Sequence, residues 1–64
     1  MKLILPDLKE RVIACRPVPL EEILLAEGIN PSEVILSRDG TLIPEDTVAG
    51  DDDVIRLIRI AHGG

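Results

Sequence analysis

Apolar and polar positions alternate from the start of the chain: in "MKLIL", Met1, Leu3 and Leu5 interleave with Lys2 and Ile4. A period of two predicts a strand with one buried face, Met1, Leu3 and Leu5 inward and Ile4 outward. Pro6 and Asp7 begin a turn. The β-rich run "RVIACR" follows the charged segment "DLKE" and stops at Pro17, so the two runs read as a hairpin. On the second strand the pattern favours Val12 and Ala14 inward, with Ile13 and Cys15 outward. A slip of one residue would reverse all four.

The period changes at "PLEEILLAEGINP". Leu20, Ile23 and Leu24 share one helical face, Pro19 suits the first helical position, and Glu21 and Glu22 favour the positive end of the helix dipole. Gly28 supplies a left-handed cap, Ile29 folds back on Leu24 or Leu25, and Pro31 blocks continuation, so the helix ends near Glu27. "VILSRDGTLI" reads as a second hairpin around Asp39-Gly40, whose positive φ angles match the twist of the flanking strands; Val34 and Leu36 point inward. "PEDTVAGDDD" reads as a polar connection and "VIRLIRIA" as the last and most apolar strand. The expected order is strand, strand, helix, strand, strand, strand, within one domain.

Composition then limits what such a domain can do. A chain of 64 residues buries only about 60% of the surface it exposes when unfolded, which leaves no room for an enclosed catalytic cleft. Phe, Tyr and Trp are absent, so the core must be aliphatic. The apolar run Leu3 to Leu5 is cut by Pro6 and Asp7, which argues against a secretory leader, and no stretch is long enough to span a membrane. A single cysteine, Cys15, cannot form an internal disulfide, and a cytoplasmic home is expected. A net charge of −5 opposes direct binding to nucleic acid, which needs clustered Lys and Arg. One Asn, no Gln and five prolines lean toward a heat-adapted source.

Three side-chain features invite chemistry and are read as structural instead. Cys15 and His62 could suggest a nucleophile and its base, but such a pair needs hydrogen-bond reach and an orienting third group, and nothing in the sequence brings them together. Asp51, Asp52 and Asp53 lack the spaced ligands of a calcium loop and read as a solvated turn before the last strand. No metal and no catalytic residue is expected.

The chain closes on "AHGG", directly after its most apolar strand. With that ending, the "MKLIL" start, the "PLEEILLAEGINPSEV" helix and turn, the "RDGTLIPED" hairpin and the acidic turn before the last strand, the sequence resembles the ThiS/MoaD family of ubiquitin-like sulfur carriers along essentially its whole length. Within that family it looks most like the carriers of tRNA 2-thiouridine synthesis and the archaeal ubiquitin-like modifiers. Thiamin carriers commonly show Asp-Gly-Asp before the last strand, whereas here Gly50 comes first and Asp51 to Asp53 follow.

The resemblance implies an α+β, ubiquitin-like β-grasp: a mixed sheet of four to five strands packed on one helix, as a domain over residues 1–61, with residues 62–64 as a flexible tail. It implies a carrier that is a substrate and not an enzyme. An activating enzyme of the ubiquitin-activating type adenylates the Gly64 carboxylate with ATP, and sulfur then displaces AMP to leave a thiocarboxylate. Gly63 and His62 belong to the segment threaded into the partner's channel, where a Cβ at the glycines would obstruct passage. The carrier itself binds no cofactor; ATP is used by the activating partner. The acceptor of the sulfur is a tRNA thiolase, a thiazole synthase or a molybdopterin synthase subunit. Two alternatives remain open: a modifier joined through Gly64 to lysines, and a non-covalent β-grasp interaction module.

In the family's sheet the first and last strands lie side by side at the centre. With odd positions facing the helix, Ile4, Ile58 and Ile60 face outward, and the strand facings above add Ile13 and Ile35. These isoleucines are expected to form a docking patch for the partners, with Ser37 and Arg56 near its edge. The chain alone is expected to be a monomer.

Overall fold

The computed structural model describes residues 1–14 and 17–60. Strand β1 (Lys2–Ile4) turns back into β2 (Glu10–Val12) through Pro6, Asp7 and Leu8. Leu8 N–H donates to the Leu5 carbonyl and Leu5 N–H to the Lys9 carbonyl, each at 2.8 Å. Leu8 takes a φ of 70°. A turn followed by one left-handed residue is a common closure for a short hairpin loop, and Pro6 sits where its fixed φ suits the turn.

That loop sets the register. Lys2 lies opposite Val12, Leu3 opposite Arg11 and Ile4 opposite Glu10, and Met1 and Ile13 exchange backbone hydrogen bonds of 2.7 Å in both directions. Opposed residues share a face. Val12 therefore stands beside Lys2 on the side away from the helix, 82% exposed, while Ile13 joins Met1 and packs against the core. The expected facing of this strand is thus reversed: Val12 and Ala14 are exposed, Ile13 points inward, and Cys15 lies outside the described residues. The cause is the loop, whose length moves the pairing by the one residue that decides the face.

Strand β7 (Val54–Arg59) runs parallel beside β1, β4 (Val34–Arg38) pairs antiparallel with β7, and β5 (Thr41–Ile43) closes the far edge. The five-stranded order is β2-β1-β7-β4-β5, a mixed sheet with the first and last strands adjacent. Asp39 (φ 53°) and Gly40 (φ 78°) form the β4–β5 turn with the left-handed angles anticipated for Asp-Gly.

Helix α1 (Leu20–Ala26) covers one face of the sheet. Leu20, Ile23 and Leu24 are buried with Met1, Leu3, Leu36, Ala49, Ile55 and Leu57, and Leu5, Ile13, Val18, Ile29, Val34 and Ile43 pack around them. The helix ends as the sequence predicts. Gly28 has φ 75°, its N–H donates to the Leu25 carbonyl at 3.1 Å, and Ile29 N–H donates to the Leu24 carbonyl at 2.8 Å. These two bonds satisfy carbonyls the helix would otherwise leave open and bring Ile29 back onto the core.

The helix start differs from expectation by one residue. Pro19 is the N-cap with extended backbone, φ −58° and ψ 140°, and not the first helical residue. It belongs to a short strand β3 (Val18–Pro19), which pairs antiparallel with β6 (Val48–Ala49). The segment read as a polar connection therefore contains a strand, and Ala49 is 1% exposed. The same segment caps the helix: Leu20 N–H donates to the Thr47 carbonyl and Glu21 N–H to the Glu45 carbonyl, each at 2.9 Å. Pro19 carries no capping side chain, so backbone carbonyls from this loop take the role.

Candidate functional site

Strand β7 organises the other face of the sheet, which no element of the described chain covers. Its inward residues Ile55 and Leu57 are 0% and 1% exposed, whereas Val54 and Ile58 are 46% and 40% exposed, so the alternation expected for this strand holds. Register places neighbours on both sides. Lys2 and Ile4 of β1 lie beside Val54 and Arg56, and Ile35 and Ser37 of β4 lie beside Ile58 and Arg56. Beyond them, Leu42 of β5 lies beside Ser37, with Val12 and Glu10 of β2 beside Lys2 and Ile4.

The result is an aliphatic surface with one cation at its middle. Arg56 sits between Ile4 and Ser37 across the sheet and between Val54 and Ile58 along its own strand, neighbours roughly 5 Å and 7 Å away respectively. Lys2 pairs with Glu10 at 3.2 Å, Arg11 with Glu27 at 3.1 Å and Arg38 with Asp53 at 3.6 Å. Arg56 pairs with none of the chain's twelve carboxylate side chains, all of which lie among the described residues. Ser37 beside it is only 8% exposed.

The structure redraws the expected patch. Ile4, Ile35 and Ile58 share this face, Ile60 follows half-buried at the end of β7, and Arg56 is central rather than peripheral. Ile13 does not belong: its pairing with Met1 turns it to the core. Leu42, Val54 and Val12, which sequence reasoning left out, do belong. The first two follow from the Asp39-Gly40 turn and the β7 alternation once the strand order is known.

Ile60 N–H donates to the Glu33 carbonyl at 3.0 Å, which anchors the end of the last strand. His62, Gly63 and Gly64 lie outside the described residues, as does Cys15. Asp53 stabilises the turn into β7, accepting the Gly50 N–H at 2.9 Å on Oδ2. At the sheet end where β7 finishes, an open groove of about 560 Å³ lies between Leu5, Arg11, Ile29, Val34 and Arg59. Its walls carry acidic Asp7 and Glu33 as well, so it presents no field of one sign. Among the described residues no helix is long and apolar enough to cross a membrane.

No protein-family model and no curated protein matches the sequence. Among solved structures, the crystal structure of the thiamine biosynthesis protein ThiS from Geobacter metallireducens matches over 100% of this chain and 100% of that one, with a TM-score of 0.66 at 18% sequence identity. The fold is the ubiquitin-like β-grasp of ThiS. A β-grasp sheet wraps one helix on one side only, which is why a chain with so few residues exposes an apolar face of this extent. The likeness at this identity is one of architecture, end to end, with no segment of either chain left over.

Proposed function

We propose that this chain is a sulfur carrier whose chemistry resides in the Gly64 carboxylate. The observation that carries the reading is the full-length ThiS fold, whose last strand stands at the centre of the sheet and continues into the sequence "AHGG". Four residues beyond Ile60 reach at most about 14 Å, enough to enter a partner's site while the domain stays outside. Two terminal glycines carry no Cβ and take extended or left-handed backbone at little cost.

A free carboxylate is a poor acyl donor. A ubiquitin-activating-type enzyme joins the Gly64 carboxylate oxygen to the α-phosphate of ATP and releases pyrophosphate. Hydrosulfide then attacks the acyl carbon, AMP leaves with the bonding pair, and the product is a thiocarboxylate. From a persulfide donor the first product is an acyl disulfide, which a further thiol cleaves. The acceptor in tRNA thiolation, thiamin synthesis or molybdopterin synthesis takes the sulfur, and the cytoplasm is the compartment of this chemistry. A lysine amine attacking the same acyl adenylate gives an isopeptide, the product of a protein modifier.

The test is ATP–pyrophosphate exchange with the source organism's activating enzyme. The full chain supports exchange and the chain lacking Gly64 does not. Equal exchange by both refutes the assignment.

A further inference from the structure

We infer that the partner docking on the uncovered sheet face presents an Asp or Glu carboxylate to Arg56 from within an apolar surface. The inference deepens the proposed function, since it states the chemistry of the activating enzyme's contact surface. Ile4, Val54, Ile58 and Ile35 surround Arg56 by register, and Val54, Ile58, Ile35 and Leu42 remain 37% to 64% exposed. Covering such a face removes water from the guanidinium as well as from the aliphatic groups around it. A guanidinium buried without an anionic partner is strongly unfavourable, whereas one that meets a carboxylate forms two parallel, charge-assisted hydrogen bonds. Among the described residues no carboxylate meets it: Lys2, Arg11 and Arg38 are paired internally and Arg56 is not. With the Gly64 carboxylate committed to adenylation in the proposed function, the counter-charge comes from the partner.

The same charges choose among occupants. Nucleic acid and anionic membranes are held by clusters of cations, and among the described residues this face offers one unpaired cation, on a chain of net charge −5. A second copy stacked face to face about an axis through the centre of the patch brings Arg56 against Arg56. A protein surface with one acidic side chain inside an apolar ring fits both the single charge and its position.

The experiment measures binding of the whole chain to the source organism's activating enzyme without ATP, by calorimetry, so that affinity is read apart from chemistry. Arg56→Glu is expected to weaken the complex at least about tenfold, and Arg59→Glu, at the groove end and on the other side of the sheet, to change it less than about twofold; amide NMR spectra confirm that both variants fold. In a second arm, Arg56→Lys is treated with a carbodiimide, which condenses an amine with a carboxylate in contact, and the crosslink is expected to join position 56 to an Asp or Glu of the enzyme. Equal affinity of Arg56→Glu and wild type overturns the inference. So does the absence of a crosslink through position 56, of any complex with the wild-type chain, or a dimer of this chain sealed through the face. Pyrophosphate exchange is scored separately. A complex that depends on Arg56 but supports no exchange refutes Gly64 adenylation and upholds the docking chemistry; exchange indifferent to Arg56 does the reverse.

Discussion

Leu57 and Ile58 are consecutive residues of the same central strand, and truncating each to Ala should give very different results. Leu57 is 1% exposed in the core; Ile58 is 40% exposed on the open face. Strand propensity alone would make the β-branched Ile the costlier loss, so a larger effect at Leu57 reports burial. A buried Leu→Ala substitution costs about 2 to 5 kcal/mol, part of it from the cavity left behind. Leu57 lies opposite Leu36 and shares its core with Leu3 and Leu24, all at most 2% exposed, so the gap is enclosed by buried side chains. About 3 kcal/mol is expected. At Ile58 water fills the vacated space, and a side chain roughly 60% buried has about 1 kcal/mol of transfer energy to lose. A domain of this size is stable by about 3 to 10 kcal/mol, so Leu57→Ala removes a large share and Ile58→Ala a small one. With no Trp, Tyr or Phe, unfolding must be followed in urea by far-UV circular dichroism. At a slope of about 1 kcal/mol/M the midpoint falls by about 3 M for Leu57→Ala and about 1 M for Ile58→Ala. Equal shifts would show that the β7 facing, and the docking face built on it, is wrong.

Two turn positions carry predictions of opposite sign. Gly28 has a left-handed backbone and open space around its missing Cβ, so Gly28→Ala should destabilise by about 1 to 2 kcal/mol through backbone strain alone, seen as a lowered thermal midpoint; no change would mean the cap relaxes. Leu8 holds φ 70° with 67% of its surface exposed, and Leu8→Asn should raise stability by about 0.5 to 1 kcal/mol because Asn tolerates that conformation better. A loss would show that the leucine side chain packs in solution.

The elements legible in the sequence are those whose signals are local. The Gly28 cap, the Asp39-Gly40 turn, the Leu20, Ile23 and Leu24 stripe and the alternation in β7 each depend on residues within one turn or one strand. What escaped depends on pairing at a distance. The facing of Val12 and Ile13 hangs on the length of the Pro6 to Leu8 loop, where a leucine occupies the left-handed position that a glycine would have advertised. Strand β6 is two residues long and its partner β3 ends in a proline, so neither shows a pattern before they meet. Arg56 moved from the edge to the middle of the face because Leu42, across Ser37 on β5, and Val54, at the start of β7, extend the apolar surface beyond it.

Sulfur transfer by this chain turns on one atom, an oxygen of the Gly64 carboxylate. Incubating the chain with the source organism's activating enzyme, ATP and sulfide, and then weighing the intact protein, tests it most directly. The expected product is heavier by the difference between one sulfur and one oxygen, with fragmentation placing the change at Gly64 and no such product when ATP is withheld. An unchanged mass with the enzyme shown active on its own substrate, or a gain located at any other residue, contradicts it.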